Sequence, residues 1–208
     1  MQRRNILIGL GTAALGSGAV FGSGAFTQVE ADRTLSIQLQ GDSSSGVALT
    51  AQADGVTNDD QSGGALRIDE GGINQDSTTT FGEFDSGNSS VSTAGFTVEL
   101  PDTNRSSSEF GENDQIKFAI SSASTLGSSE SITVAAASQT DGEFTDSSDT
   151  TKNFDSFTVS DGESGETTFY GASGGSDYLL DVAVEFVTTD GGGNDSISET
   201  LTITVTNN

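Results

Sequence analysis

The chain contains no cysteine, no histidine and no tryptophan, and Pro101 is its one proline. The missing cysteine excludes disulfides, thiolate catalysis, zinc–thiolate sites and a lipid-bearing N-terminal cysteine. The missing histidine excludes a Ser–His nucleophile pair and any His-ligated metal centre. Two kinds of site chemistry remain: a carboxylate pair for general acid–base catalysis, and calcium binding by loop oxygens.

Basic residues are scarce. The 208 residues include 7 Lys or Arg against 31 Asp or Glu, for a net charge of −24, and the two lysines are Lys117 and Lys152. No basic patch is present to neutralise phosphates, so nucleic acid is not an expected partner. Charge of one sign destabilises a compact state, but molar salt shortens the Debye length to about 3 Å and screens that repulsion. The composition therefore predicts a salt-adapted protein of a halophilic archaeon; the alternative is an ordinary acidic secreted domain.

The first 25 residues have the character of an export signal. Arg3 and Arg4 precede an uncharged, glycine-rich stretch over residues 6–26. A charged start, an apolar middle and a small-residue end predict a secretory signal peptide, cleaved after Ala25. The adjacent arginines are typical of twin-arginine export. The alternative is an uncleaved membrane anchor, since the stretch reaches the roughly 20 residues that span a bilayer. We thus expect a secreted or cell-surface protein with a signal at 1–25 and one domain at 26–208.

Beyond the signal, apolar residues alternate with polar ones. Low hydrophobicity with high net charge normally predicts disorder, but here the apolar residues are β-branched or aromatic and recur with a period of two, which predicts strands. The longest apolar run, 178–187, is expected at a sheet centre. The other predicted strands are 35–39, 47–49, 65–69, 79–84, 96–100, 116–120, 132–134, 157–159, 167–170 and 201–205.

These segments predict an all-β protein, an antiparallel two-sheet β-sandwich of about ten strands with a jelly-roll-like layout. Short helical turns are possible at 104–113 and 124–131, and the polar segments 41–46, 58–64, 141–152, 161–166 and 189–196 are expected to be loops. The predicted core consists of Phe96, Val98, Phe118, Ile120, Val134, Val182, Val184, Phe186, Leu201 and Ile203.

Neither a catalytic carboxylate pair nor a calcium site is indicated by a specific motif in the sequence. Among 31 acidic residues chance carboxylate pairs are unavoidable, and only Tyr170 and Tyr178 join the phenylalanines as possible platforms for sugar rings. We therefore predict that the protein is not an enzyme and holds no cofactor. Calcium is the one ion to consider, because acidic and amide residues fall in Gly-rich loops that could fold around it. Their spacing does not match the ligand order of a known calcium loop. The alternative is that these loops are simply solvated. These residues are Asp59, Asp60, Asp190, Asn194 and Asp195.

Three triplets fit the N-glycosylation pattern, at Asn88, Asn104 and Asn194. All three fall in predicted loops, where an acceptor asparagine must lie. We expect at least one of them to be modified in a secreted protein.

The most distinctive passages are RRNILIGLG at residues 3–11 and GSGAFTQVEADRTLSI at residues 22–37. Together they resemble a family of haloarchaeal secreted proteins, the DUF1102 type. In that family a Gly-Ser-Gly-Ala-Phe-Thr step also ends the signal, ahead of an Ala-Asp-Arg strand. The close resemblance covers about the first forty residues, and beyond them only the acidic, strand-rich character is shared.

More remotely, the layout is similar to the TasA and camelysin biofilm-fibre proteins and to archaeal bundling pilins. That resemblance implies subunits that polymerise by donating an N-terminal strand to a neighbour, which is physically favourable because a sheet edge offers unpaired N–H and C=O groups. The donor residues would be Phe26, Val29, Leu35, Ile37 and Leu39. The alternative is that residues 33–40 form the first strand of their own monomeric sandwich.

Export, an all-β pattern, glycosylation triplets and the resemblance together predict a structural protein of the cell surface or extracellular matrix. Its partners would be further copies of itself or other cell-surface proteins, and it would meet the membrane only through an uncleaved signal segment. The alternative function is a secreted carbohydrate- or calcium-binding β-sandwich module, by analogy of fold alone.

Overall fold

A computed structural model of the chain describes residues 33–41, 48–59, 65–73, 77–85, 87, 89–100, 110–173, 178–188 and 196–206. These residues form fourteen strands and no helix. The strands are β1 (Arg33–Gly41), β2 (Ala48–Ala51), β3 (Val56–Asp59), β4 (Ala65–Ile73), β5 (Thr78–Asp85), β6 (Ser90–Ala94), β7 (Phe96–Glu99), β8 (Gln115–Ile120), β9 (Ser131–Ser138), β10 (Phe144–Thr145), β11 (Phe154–Ser160), β12 (Gly165–Gly171), β13 (Leu179–Val187) and β14 (Ser196–Thr206).

The strands form two sheets. Sheet A has the order β10-β12-β8-β14-β1-β4-β3, and sheet B has the order β11-β9-β13-β5-β6, with β7 pairing to β13 and β2 to β7. The predicted all-β, two-sheet sandwich is confirmed, and β13 lies at the centre of sheet B as expected. One pair departs from the antiparallel prediction, because β1 runs parallel to β14.

The core lies between the sheets and follows the alternation in the sequence. In β8 the buried residues Ile116, Phe118 and Ile120 alternate with partly exposed ones. Every predicted core residue is at most 1% exposed. Burial of one large apolar side chain contributes about 1.5–3 kcal/mol, so these rows supply the main stabilisation of the sandwich.

An aromatic cluster fills one end of the core. The rings of Phe110 and Tyr178 meet edge to face with centroids 4.8 Å apart, and Phe144 lies 5.4 Å from Tyr178 and 5.7 Å from Phe169. Phe144 corrects the prediction of a loop over 141–152. Its ring is fully buried, and β10 pairs with the end of β12, because burying a phenylalanine draws this otherwise polar segment onto the sheet.

Two other predicted loops begin or end within strands. β3 continues to Asp59, and β12 begins at Gly165. The turn of helix considered at 124–131 is absent, since residues 121–130 form turns and bends before β9 starts. Residues 104–109 lie outside the described residues, as do most of 41–46 and 189–196.

The hairpin of β5 and β6 folds across the outer face of sheet B. β6 pairs with neither β13 nor β9 yet contacts both. Ala135 and Ala183 alternate with inward-facing residues and so point outward, but both are fully buried. Small side chains at these two positions let the hairpin backbone approach the sheet closely.

Candidate functional site

The place of β1 in sheet A is the candidate functional site, because β1 carries three of the five predicted donor residues. β1 lies between β14, which is parallel to it, and β4, which is antiparallel. Leu35 is in register with Ile197, Ile37 with Glu199, and Leu39 with Leu201. These partners on β14 are all buried. The alternating apolar residues of β1 are therefore aligned with the inward-facing row of its neighbour.

We call the gap between β14 and β4, which β1 fills, the slot of sheet A. β1 is the first of the described strands, and β2, which follows it, belongs to the other sheet. Neighbouring strands lie about 4.8 Å apart, so β14 and β4 without β1 would face each other across roughly twice that distance. Each would present a row of unpaired N–H and C=O groups. One extended segment, from this chain or from another copy, fits that gap.

β1 occupies this slot within its own chain, so donating it to a neighbour requires that it first leave. Two of the predicted donor residues, Phe26 and Val29, lie outside the described residues. So do the signal residues Arg3, Arg4 and Ala25.

Two buried carboxylates were missed in the sequence, one on β14 and one in the segment before β9. Glu199 is 4% exposed, and its Oε1 accepts hydrogen bonds from the Thr125 amide at 2.7 Å and the Thr125 hydroxyl at 2.6 Å. Glu130 is 1% exposed, and its Oε2 accepts from the Gly127 amide at 2.6 Å. Glu199 therefore ties the segment 121–130 to β14, whereas Glu130 forms a hydrogen bond within the segment. The signal for Glu199 was its place in the apolar row Ile197–Glu199–Leu201–Ile203, where a charge needs a partner.

A second polar cluster joins the two sheets along one side. The Lys152 ammonium lies 2.6 Å from Asp155 Oδ2 and 2.7 Å from the Thr168 carbonyl oxygen. The Thr167 hydroxyl donates to the same Asp155 oxygen at 2.5 Å. Lys152 also lies 4.9 Å from the centre of the Phe169 ring, within the range of a cation–π contact.

This cluster changes the acidity of Asp155. Burial by itself would raise the pKa of the Asp155 carboxyl, but hydrogen bonds from Lys152 and Thr167 and the charge of Lys152 outweigh burial and lower it. The ionised form is therefore the one that the fold stabilises.

A surface cavity of about 540 Å³ adjoins the cluster. Two carboxylates line it, but neither has the raised pKa that a general acid requires. Backbone hydrogen bonds from Thr150 and Ser148 lower the pKa of Asp146, and the pKa of Asp155 is lowered as described above. The cavity is lined by Ser89, Asp146, Thr151, Lys152, Asn153, Phe154 and Asp155.

The predicted calcium and glycosylation residues are largely outside the described part of the chain. Asp59 ends β3, whereas Asp60, Asp190, Asn194 and Asp195 are not described. Within the described ranges no three acidic side chains come together as a metal site would need. Asn88 and Asn104 are also not described, but Gly87 and Ser89, the neighbours of Asn88, are exposed in the turn between β5 and β6.

The described residues contain no helix with the length and apolarity to span a bilayer. No protein-family model, no curated protein and no solved structure matches this chain.

Proposed function

We propose that the protein is an exported structural component of the surface or extracellular matrix of a halophilic archaeon, and that it assembles by exchange of β1 between copies. The observation that carries the proposal is the position of β1. It is an N-terminal strand inserted between two other strands of sheet A, parallel to one of them. In an assembly, β1 of one copy occupies the slot between β14 and β4 of the next.

Exchange of β1 preserves the contacts that β1 makes. A neighbour's β1 in the same register satisfies the same backbone groups of β14 and β4 and brings the same apolar residues to the slot. The free energy of exchange is then set by the connection to β2 and by protein concentration, as in domain swapping. Each copy gives one strand and receives one, and a head-to-tail arrangement of this kind extends into a fibre when the rotation between successive copies does not close a ring.

The composition supports assembly outside the cell in brine. Copies with a net charge of −24 repel one another at low ionic strength, and molar salt screens that repulsion. We therefore expect self-association to require high salt. The predicted N-terminal signal and the glycosylation triplets support a location at the cell surface.

The absence of native cysteine permits a direct test by disulfide trapping. Ser36 on β1 and Ser198 on β14 are directly in register, a spacing that suits a disulfide. In a Ser36→Cys/Ser198→Cys variant, oxidation of the monomer should lock β1 in its own sheet. Electron microscopy in molar KCl should then show no fibres, and reduction should restore them.

Mixing two single variants separates exchange from self-pairing. Ser36→Cys chains and Ser198→Cys chains, assembled together in molar KCl and then oxidised, should yield a cross-linked heterodimer. The matched control pairs Ser36→Cys with Ser148→Cys, which lies in an exposed loop outside sheet A and should give no such product. Monomers at every salt concentration, with no cross-linking between copies, would contradict the proposal.

A further inference from the structure

β11 is the outermost strand at one end of sheet B. Among the described strands β11 pairs only with β9. The Ser138 amide donates to the Asn153 carbonyl at 2.8 Å. This bond identifies Asn153, and therefore every second residue after it, as directing its backbone groups towards β9. Because hydrogen-bonded and non-hydrogen-bonded pairs alternate in an antiparallel ladder, Phe154, Ser156, Thr158 and Ser160 direct their backbone groups away from β9. A seven-residue edge of this kind is a template for pairing with another chain.

Carboxylates from the same chain occupy two of the four outward amides. The Ser156 amide donates to Asp155 Oδ1 at 2.9 Å. The Ser160 amide donates to Glu163 Oε2 at 3.1 Å, and the Glu163 amide returns a hydrogen bond to the Ser160 carbonyl at 2.9 Å. An incoming strand would need these same groups. It would therefore have to displace charge-assisted hydrogen bonds, which are stronger than neutral ones.

Lys152, which forms an ion pair with Asp155, closes the neighbouring edge of sheet A at β12. The Gly171 amide donates to the Asp114 carbonyl on the side of β8, so the alternation turns the backbone groups of Thr168 away from β8. Lys152 donates to that outward Thr168 carbonyl at 2.7 Å. Lys152 thus caps an acceptor on β12, while its partner Asp155 caps a donor on β11.

Side chains of β11 pack closely on the backbone of β12. A side chain at Gly165 would come within 2.5 Å of the Phe157 ring and 2.8 Å of Val159. The bare glycine backbone on β12 is therefore covered by the inward-facing side chains of β11. The ion pair and this apolar contact close the same side of the sandwich.

We propose that Lys152, Asp155 and Glu163 cap the outward backbone groups of β11, and of the part of β12 that β10 does not cover, and thereby prevent a second copy of this chain from pairing with β11. The expected partner at an uncapped edge is β11 of another copy, antiparallel about a twofold axis, because the outward residues are then the same on both sides. This capping role does not depend on the exchange of β1.

The test removes the two capping carboxylates. The test uses the oxidised Ser36→Cys/Ser198→Cys protein as its background, because β1 is locked there in its own sheet and fibres do not form. Adding Asp155→Ala/Glu163→Ala to this background should make it associate in molar KCl, with its mass by light scattering doubling to that of a dimer, while the background protein stays at the mass of a monomer. A control with the same charge change, Glu112→Ala/Asp161→Ala, removes two exposed acids outside the edge and should behave like the background protein. Equal masses for the capped and uncapped proteins would overturn the proposal.

A third substitution locates the contact. Thr158 presents its amide outward between the two caps, and proline at an edge position lacks the donor that a paired strand needs. Adding Thr158→Pro to the uncapped variant should return it to the mass of the locked background protein. Association that persists with this proline would show that another surface is responsible and would overturn the assignment to β11.

Amide hydrogen exchange in the single variant Glu163→Ala tests the same capping contact without the double variant. Glu163 is exposed in the turn after β11, so Glu163→Ala should leave the sandwich intact. Exchange of the Ser160 amide should then become at least about tenfold faster, because its acceptor is gone, while that of Ser156 stays unchanged. An unchanged Ser160 rate would mean that Glu163 does not cap the edge.

Discussion

At the scale of single residues, two glycines allow the β5–β6 hairpin to fold across the outer face of sheet B. Gly82 has a φ of +82°, and a Cβ there would collide with the Gly95 amide nitrogen and the Thr93 carbonyl oxygen. At Gly95 a Cβ would collide with the Phe81 carbonyl oxygen. Each contact is with backbone, which cannot rotate away as a side chain does. The hairpin therefore requires glycine at both positions.

We predict that Gly82→Ala destabilises the protein by at least about 3 kcal/mol, because the backbone must shift as well as adopt a strained φ. Gly142→Ala is the matched control. Its φ is +85°, but its Cβ would meet nothing within 4 Å, so we expect a cost of about 1 kcal/mol from φ alone. Denaturant unfolding in molar KCl measures both. Equal losses would show that the close approach at Gly82 does not matter.

Asp155 makes stability depend on pH in a defined direction. Its folded-state pKa lies below the ordinary value of 3.8, so its ionised form stabilises the fold at pH values above 3.8 and loses that effect as the pH falls through the folded-state pKa. The difference in unfolding free energy between the unaltered chain and Asp155→Asn should therefore be largest near neutral pH.

Denaturant unfolding at a series of pH values measures this difference, which should shrink steadily below about pH 4. Asp161→Asn, at an exposed position in the turn after β11, is the control and should show a small difference at every pH. An Asp155 difference that is constant with pH would count against the ion pair with Lys152.

At the scale of elements, Glu199 links β14 to the segment 121–130. Glu199→Ala leaves the Thr125 amide and hydroxyl without their buried acceptor, and we predict a loss of about 2–3 kcal/mol. Glu199→Gln keeps an acceptor oxygen in place and should lose less than half as much. Unfolding experiments measure the loss, and faster exchange of the Thr125 amide in Glu199→Ala would assign it to this segment. Equal losses for the two variants would contradict a hydrogen-bonding role.

Strands with alternating apolar residues could be predicted, whereas three polar or very short ones could not. β3, β6 and β10 have no row of apolar side chains to bury, and each lies at the end of its sheet order. Their backbones pair where a neighbouring edge is available, in β10 together with the burial of Phe144, and such an edge is a property of the assembled sheet. The parallel pairing of β1 with β14 also escapes the sequence, because alternation fixes the face of a strand and not its neighbour.

At the scale of the whole molecule, the charge of −24 makes stability depend on salt. We predict that the melting temperature rises by roughly 10 °C or more between about 0.1 M and about 2 M KCl, because self-repulsion is progressively screened. Circular dichroism follows the melting. A Glu112→Gln/Asp149→Asn/Asp161→Asn variant, which removes three exposed charges, should show a smaller rise. A melting temperature independent of salt would contradict adaptation to brine.

The sequence by itself determined the class of fold and the core of this protein. Apolar residues with a period of two line one face of a strand, and in a sequence without helical segments that face is buried against a second sheet. The absence of cysteine and histidine limits the available chemistry whatever the fold. Only the tertiary structure decided where β1 inserts, which carboxylates are buried and how Lys152 and Asp155 close the edges of both sheets. The pairing of β1 with β14, the contact of Glu199 with Thr125 and the reach of Lys152 to Thr168 join residues far apart in the chain, so no local pattern records them.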